Sequence, residues 1–252
     1  MTPVAVNLYT VREECEQDVR GTVEEIAGLG FKGVEYLGFH GLSVEVGAKL
    51  LSGLGLEARS GFLGNATPET VDQIVADCNT LGTKYVIGGF GPDDMKTMDA
   101  VKACAASLQQ SAELLGPHGI TFAFHNHWWE FDEIDGTRIY DCLMDLAPDV
   151  MSELDVYWAA LGGTDPVEVL GKYGDRIPLI HAKDGPLTGD PSDPHTAAGK
   201  GRMDLPAIIA ATDDATLEWV VVELDHCATD MMTAVRDSYN YLTSHGLAEG
   251  KV

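Results

Sequence analysis

The sequence alternates strand-like and helix-like segments eight times over its 252 residues, and this rhythm limits the fold more than any other feature. The strand candidates are short and largely apolar, as expected of parallel strands that are covered on both faces. They span residues 4–9, 33–37, 57–62, 85–89, 121–127, 151–156, 178–184 and 218–225. Eight such repeats with short connections predict an α/β fold, a (β/α)8 TIM barrel that forms one domain over residues 1–252.

Helix signals lie between the predicted strands. Residues 99–115 form a long Ala-rich helical pattern, and Thr67 is predicted to cap a helix that begins with a proline. Asp165 and Asp204 mark two further helix starts. A G-x-G-x-x-G motif at residues 28–33 follows a helix and precedes a strand, which is the wrong side for a dinucleotide-binding turn. We therefore predict a helix C-terminus and a tight connection there.

Charge and cysteine usage narrow the classes of partner. The formal net charge is −24, so the chain repels phosphate backbones and anionic lipids, and we expect no nucleic acid and no membrane as partners. Five cysteines without a C-x-x-C pair argue against a disulfide framework and against a cysteine zinc site. The N-terminus lacks a signal-peptide pattern, and no apolar run approaches ~20 residues, which predicts a cytoplasmic protein. A homo-oligomer is left open.

Four of the predicted strands in the second half end in polar residues. These residues are His125, Asp155, His181 and Glu223. In a barrel of this type the C-terminal strand ends surround the active site, so residues distant in sequence become neighbours. Carboxylate oxygen and neutral imidazole are ligands of divalent metal ions. One at a time these residues have simpler explanations, such as a helix cap for Asp155, but four consecutive strands together predict a metal site.

Further candidates surround the predicted ligands. Glu223, His127, Lys183 and Glu130 are the candidate acid/base residues. Lys183 shares a strand face with His181, and its alternative role is a surface salt bridge with Asp184. The candidate substrate-binding residues are Glu35, Asn126, Trp128, Trp158, Lys200 and Arg202. The tryptophans suit the C–H faces of a sugar, with core packing as the alternative. Lys200 and Arg202 lie in a glycine-containing loop after the seventh strand, which suits an anion or is a flexible surface loop.

Five motifs together resemble the xylose isomerase-like superfamily, and within it the sugar phosphate isomerase/epimerase branch. They are His-Asn-His-x-x-Glu-Phe at 125–131, Glu-Leu-Asp-x-x-Trp at 153–158, His-x-Lys-Asp at 181–184, Gly-x-Gly-x-x-Asp at 199–204 and Val-Glu-x-Asp at 222–225. The resemblance implies metal ligands from strands five to eight, in the order Glu, Asp, His and Glu. Asp155, His181 and Glu223 match the last three, and His125 stands where the first Glu is usual, with Glu130 as the alternative fourth ligand.

The resemblance also implies an activity. We expect a divalent-metal-dependent isomerase or epimerase that acts on a small sugar or keto-sugar through an enediolate intermediate. Mn²⁺ is the expected ion, with Mg²⁺ or Co²⁺ as alternatives. The histidine at position 125 resembles the inosose dehydratase side of the superfamily. The alternative is therefore a metal-dependent lyase or dehydratase of a keto-cyclitol (inosose) or a 3-keto-glycoside, and a non-catalytic sugar-binding barrel is a third possibility.

Overall fold

The computed structural model describes residues 1–251, in which eight parallel strands close into a barrel. The barrel strands are β1 Val4–Asn7, β2 Gly33–Tyr36, β3 Glu57–Phe62, β4 Tyr85–Gly88, β5 Thr121–His125, β6 Met151–Asp155, β7 Leu179–His181 and β8 Trp219–Val222. Their order around the barrel follows the chain, and β1 pairs with β8 to close it. The prediction of a single-domain (β/α)8 barrel is confirmed, and every strand lies within its predicted range.

Helices surround the barrel and connect its strands. They are α1 Arg12–Leu29, α2 Val44–Gly53, α3 Val71–Leu81, α4 Met98–Leu115, α5 Ile139–Leu146, α6 Val156–Leu161, α7 Pro166–Tyr173, α8 Leu205–Ala210 and α9 Met231–Ser244. A short hairpin, Glu133–Ile134 with Thr137–Arg138, precedes α5. Within residues 1–251, no helix combines the length and the apolar character that crossing a membrane requires.

Local signals placed most helix ends correctly. Asp165 and Asp204 accept hydrogen bonds from the backbone N–H groups of Val167 (2.9 Å) and Ala207 (3.1 Å), which confirms both helix starts. Gly30 ends α1 with a φ of 105°, as the motif at residues 28–33 predicts.

The predicted start at Thr67 is wrong, because α3 begins at Val71. The Thr67 carbonyl accepts from Val71 N–H at 2.9 Å, and the hydroxyls of Thr67 and Thr70 lie 3.3 Å apart. These contacts close a turn ahead of the helix, so the threonine and proline signal marks the turn instead of the helix itself.

The barrel interior has an apolar layer below a polar one. Successive side chains of a strand point to opposite faces, so every second residue points inward. The apolar layer is formed by Ala5, Tyr85, Ile87, Ala123, Leu179, Trp219 and Val221. Two residues beyond four of these, on β1, β5, β7 and after β8, stand Asn7, His125, His181 and Glu223. The apolar layer therefore forms a dry floor on which a polar cluster sits at the C-terminal mouth.

Candidate metal centre

The four predicted metal ligands lie together at the C-terminal mouth of the barrel. His125, Asp155 and His181 end β5, β6 and β7, and Glu223 directly follows β8. All four are buried, and one ligand atom from each lies within 4.8 Å of those of the others. Parallel strand ends meet at one rim, and the two-residue period turns these side chains inward. The structure thus brings together residues that are up to 98 positions apart in the chain (125 to 223).

His181 is held between two groups of acids. Its Nδ1 lies 2.8 Å from Glu223 Oε2, and its Nε2 lies 2.8 Å from Glu35 Oε1 and 3.2 Å from Glu153 Oε2. Burial alone would lower the pKa of His181, but the carboxylates of Glu153, Glu223 and Glu35 raise it well above its ordinary value. A histidine that ligates a metal through one ring nitrogen usually donates its other N–H to a carboxylate. This ring has that arrangement, with Nδ1 toward the predicted ligands and Nε2 toward Glu35.

Glu35 and Glu153 form an acidic layer beneath the four ligands. Both are fully buried, and Glu35 also accepts from the Asn7 side chain at 2.9 Å. The prediction of Glu35 as a substrate-binding residue is therefore corrected, since its carboxylate contacts His181 and Asn7 inside the barrel. Glu153 begins the motif at residues 153–158, but the sequence predicts no role for it. Its place two residues before Asp155, on the same inward face of β6, was the available signal.

The donor set of the mouth fits a divalent metal ion. His125 Nδ1 lies 3.3 Å from Glu153 Oε2, but within residues 1–251 neither His125 Nδ1 nor the two Glu153 carboxylate oxygens have a partner in hydrogen-bond geometry. Burial and the neighbouring Glu35 carboxylate raise the pKa of Glu153 well above its ordinary value, as expected where acids crowd without enough cations. Two imidazoles and two carboxylates suit Mn²⁺, Co²⁺ or Zn²⁺ better than Mg²⁺, which prefers an all-oxygen shell.

Lys183 stabilises the carboxylates of the mouth. Its Nζ lies 2.8 Å from Asp155 Oδ2, 2.7 Å from Glu223 Oε2 and 3.1 Å from Asp225 Oδ2, and its side chain is fully buried. Burial alone would lower the pKa of Lys183, but these three carboxylates raise it well above its ordinary value. The lysine is therefore a permanent cation in this arrangement, which disfavours the acid/base role that the sequence suggested. The alternative pairing with Asp184 does not form either, because Asp184 binds backbone amides.

A pocket of about 460 Å³ opens above the cluster. His125 and Glu223 reach its floor, and Asn7, His127 and Asp225 add polar groups. Its apolar wall consists of Tyr9, Leu37, Phe62, Trp128, Trp129, Trp158 and Pro191. Trp128 and Trp158, both predicted as substrate-binding residues, thus face the pocket, and Trp129 joins them.

Asn126 and Glu130 lie behind this surface. The Asn126 amide donates to the Asp155 carbonyl at 3.1 Å and accepts from the Asp155 N–H at 3.0 Å, so it ties β5 to β6 instead of facing a substrate. The Glu130 carboxylate accepts from the His127 backbone N–H at 2.8 Å. Burial raises the pKa of Glu130 to about 8 and lowers that of His127 to about 4. His125, and not Glu130, is the member of the four-residue group.

The predicted anion loop is occupied by the protein itself. The Asp184 carboxylate accepts from the backbone N–H groups of Gly199 (3.0 Å), Gly201 (2.9 Å) and Met203 (3.0 Å). Lys200 forms an exposed ion pair with Asp237, and Arg202 lines a separate surface pocket beside Thr164. Neither cation lines the pocket above the metal ligands, so the proposed site does not include them.

Comparisons with known proteins agree with this architecture. An inosose dehydratase of Clostridium perfringens (strain 13 / Type A) is 25% identical to this chain in an alignment that covers 81% of each of the two proteins. A sugar phosphate isomerase/epimerase from Parabacteroides distasonis ATCC 8503 superposes with a TM-score of 0.84 at 22% identity, covering 99% of this chain and 100% of its own. The IOLI protein, crystallised with a bound zinc atom, superposes with a TM-score of 0.70 at 16% identity over 97% of this chain and 99% of its own.

Residues 23–245 match the family described as xylose isomerase-like TIM barrel, which confirms the superfamily predicted from the five motifs. The match spans the barrel from within α1 to the residue after α9, including all four predicted ligands. The closed eight-stranded barrel and the match along most of the sequence lead to one conclusion. The chain belongs to the xylose isomerase-like TIM barrel family.

Proposed function

We propose that this chain is a divalent-metal-dependent isomerase or epimerase of a small sugar or keto-sugar. The observation that carries the proposal is the convergence of His125, Asp155, His181 and Glu223, of which His125 and Glu223 reach the floor of one pocket. A divalent ion bound there would supply Lewis acidity, which makes the C–H next to a substrate carbonyl more acidic. Family membership supports an enzyme of this general type.

Two side chains in the pocket are suited to move a proton. Burial alone would raise the pKa of Glu223, but Lys183 and His181 hold it well below its ordinary value, so this residue is a carboxylate. His127 is neutral at pH 7 because burial lowers its pKa, and its Nδ1 has no hydrogen-bond partner within residues 1–251. We assign proton removal from the carbon beside the carbonyl to one of them, which then holds that proton. Return of this proton by the same group to the neighbouring carbon isomerises the sugar. In epimerisation the other group takes a proton from solvent and delivers it to the opposite face of the same carbon, and the first group releases its proton to solvent.

The remaining pocket residues orient the substrate and exclude water. Trp128, Trp129 and Trp158 offer flat apolar faces on which the C–H groups of a sugar ring can stack. The His127 ring is itself stacked on Trp129, with ring centroids 4.1 Å apart and an interplanar angle of 10°. His127 is thus held against the same tryptophan wall that would contact the sugar, and this arrangement favours proton transfer over a short distance.

A lyase or dehydratase acting on a keto-cyclitol or a 3-keto-glycoside is the second candidate. Two observations favour it, namely His125 at the first ligand position and the 25% identity to an inosose dehydratase over 81% of the chain. The proton removal is the same. Loss of a β-substituent then follows, and the proton removed from carbon passes to the leaving group. We assign both the removal and the delivery of this proton to His127, which returns to its neutral form.

Solvent deuterium exchange separates these candidates. The metal-loaded protein is incubated in D₂O with a panel of ketoses and inososes, and the products are analysed by NMR and mass spectrometry. Deuterium incorporation without elimination supports an isomerase or epimerase, and release of water or an aglycone supports a lyase. A fully loaded protein that does neither with any member of the panel would contradict both activities.

The first prediction concerns metal retention. Asp155→Ala should reduce bound metal by about tenfold or more, because it removes one of four converging ligands. Asp165→Ala is the matched control, since Asp165 also caps a helix (α7) but lies away from the mouth. Metal content after equilibrium dialysis is measured by inductively coupled plasma mass spectrometry. A wild-type protein that is metal-free and fully active would refute the proposed mechanism.

The second prediction concerns the acid that holds His181. Glu35→Ala should weaken metal binding by about 10–100-fold, because the ring loses the carboxylate that fixes its Nε2–H. Glu35→Gln should recover part of this affinity, since its amide oxygen can still accept the hydrogen bond. Affinity is measured by chelator competition, with Glu218→Ala, at the opposite end of the barrel beside Lys84 and Tyr85, as the control. Unchanged affinity in Glu35→Ala would show that His181 needs no such support.

The third prediction concerns Glu130, which we propose as a positioning residue beneath His127. Its pKa rises from 4.5 in the unfolded chain to about 8 in the fold, so the folded state retains a proton that the unfolded state loses. Folding stability contributed at this position therefore decreases as pH rises from about 4.5 to about 8. In urea titrations across this range, Glu130→Gln should lose less stability than wild type. The control Glu133→Gln, on the exposed hairpin, should follow the wild-type pH profile, and an unchanged profile in Glu130→Gln would refute the prediction.

A further inference from the structure

Among residues 1–251, no lysine or arginine lines the pocket above the metal ligands, whereas Glu223 and Asp225 do. The histidines of the lining are His125, His127 and His226. Burial keeps the pKa of His127 low, and His226 Nε2 already lies 2.9 Å from the Ser192 carbonyl oxygen. Lys183 lies below the floor, where its ammonium group already contacts three carboxylates and its side chain is fully buried. A phosphate dianion placed in this pocket would meet carboxylates without a protein cation to offset its lost hydration.

Arg12 is the other cation close to the mouth, and it too is engaged. Its guanidinium donates to the carbonyl oxygens of Tyr9 and Asp225, both at 2.8 Å. It also lies over the Tyr9 ring, 4.1 Å from the ring centroid. With these contacts Arg12 lines a neighbouring surface groove and does not line the pocket. The guanidinium therefore supports Tyr9 from behind and does not face a ligand in the pocket.

The backbone site where many barrels bind phosphate is filled by Asp184. Loops after the seventh and eighth strands commonly bind phosphate through backbone amides. Here the Asp184 carboxylate takes four such N–H groups, those of Gly185 (2.8 Å), Gly199 (3.0 Å), Gly201 (2.9 Å) and Met203 (3.0 Å). The Asp184 residue is 1% exposed. A substrate phosphate could use these amides only by displacing a buried carboxylate of the chain itself.

We infer that the pocket selects an uncharged keto-sugar, bound between the metal ligands and the tryptophan wall, and discriminates against its phosphorylated form. This inference rests on the proposed function and names its substrate class. The wall formed by Trp128, Trp129 and Trp158 favours the C–H face of a neutral ring, which can leave water without an unpaired charge. The acids at the floor and the self-occupied loop both oppose a terminal phosphate. The preference for the free sugar over its phosphate thus comes from the missing lysine and arginine side chains as much as from favourable contacts with the sugar ring.

Matched ligand pairs test the inference. The Mn²⁺-loaded protein is titrated with D-fructose and D-fructose 6-phosphate, D-ribulose and D-ribulose 5-phosphate, and D-xylulose and D-xylulose 5-phosphate. Quenching of the pocket tryptophans reports binding directly. The free sugar should bind about tenfold or more tightly than its phosphate in each pair that binds. A phosphate that binds as tightly as its free partner, or more tightly, overturns the inference while leaving the proposed function intact.

A second measurement tests the loop independently of any sugar. Sulfate, compared with chloride at equal ionic strength, should raise the melting temperature of Asp184→Asn more than that of wild type. The variant lacks the carboxylate charge that occupies the loop amides, so an anion can bind there. Asp204→Asn, which alters only a helix cap, should respond like wild type. An equal sulfate effect in wild type and Asp184→Asn overturns the argument from the loop. If the variant does not fold, saturable binding of sulfate to the wild type, measured by isothermal titration calorimetry, overturns it, because the general stabilising effect of sulfate does not saturate at a site.

The two failures are distinguishable. If no free or phosphorylated ketose binds and no deuterium exchange occurs with the full panel, the proposed function fails and the inference on substrate class falls with it. If exchange occurs and a phosphorylated ketose is preferred, only the inference on charge fails.

Discussion

The crowding of buried acids around His181 is the constraint on which the rest of this structure depends. Glu35, Glu153, Asp155 and Glu223 are all buried at one end of the barrel, where burying an unpaired carboxylate costs several kcal/mol. Lys183 faces them as a cation, and so does His181 as long as no metal ion takes the place of the proton on its Nδ1. A divalent ion held by the upper ligands would add the positive charge that this arrangement lacks, so metal binding and folding stability should be linked.

The barrel supports this cluster by dividing its interior into layers. The apolar floor fills the barrel below the mouth, and the inward side chains become polar directly above it. Some residues have two tasks. Asp155 faces the ligand cluster while one of its oxygens accepts from the Trp158 N–H at 2.9 Å and so begins α6. A single carboxylate thereby fixes both the site and the tryptophan that walls it, which couples metal geometry to the shape of the pocket.

The same chemistry explains why the choice between isomerase and lyase is separate from the metal site. Both reactions begin by removing a proton beside a carbonyl, and they differ in where the next proton goes and whether a leaving group departs. In the proposed mechanism, that outcome would depend on His127, which is stacked on Trp129, and on the substrate that the tryptophan wall holds. The pocket has no lysine or arginine among residues 1–251, and Asp184 occupies the loop amides, so both features would disfavour a charged phosphate on that substrate.

Local pattern was sufficient for the architecture and for the four converging ligands. The alternation of apolar strands with helices predicts a barrel, and in a barrel the C-terminal ends of all strands lie at the same rim. The convergence of His125, Asp155, His181 and Glu223 could therefore be predicted without knowledge of any contact. Helix caps at Asp165 and Asp204 were equally local. The partners of buried charges depend on contacts between distant segments, and only the tertiary structure decided them. It placed Glu35 under His181, Lys183 among three carboxylates, and Asp184 in the loop that the sequence offered to a substrate anion. The two-residue period of a strand predicts whether a side chain points into the barrel or out of it. The energy of a buried charge depends instead on which side chains from other strands lie next to it.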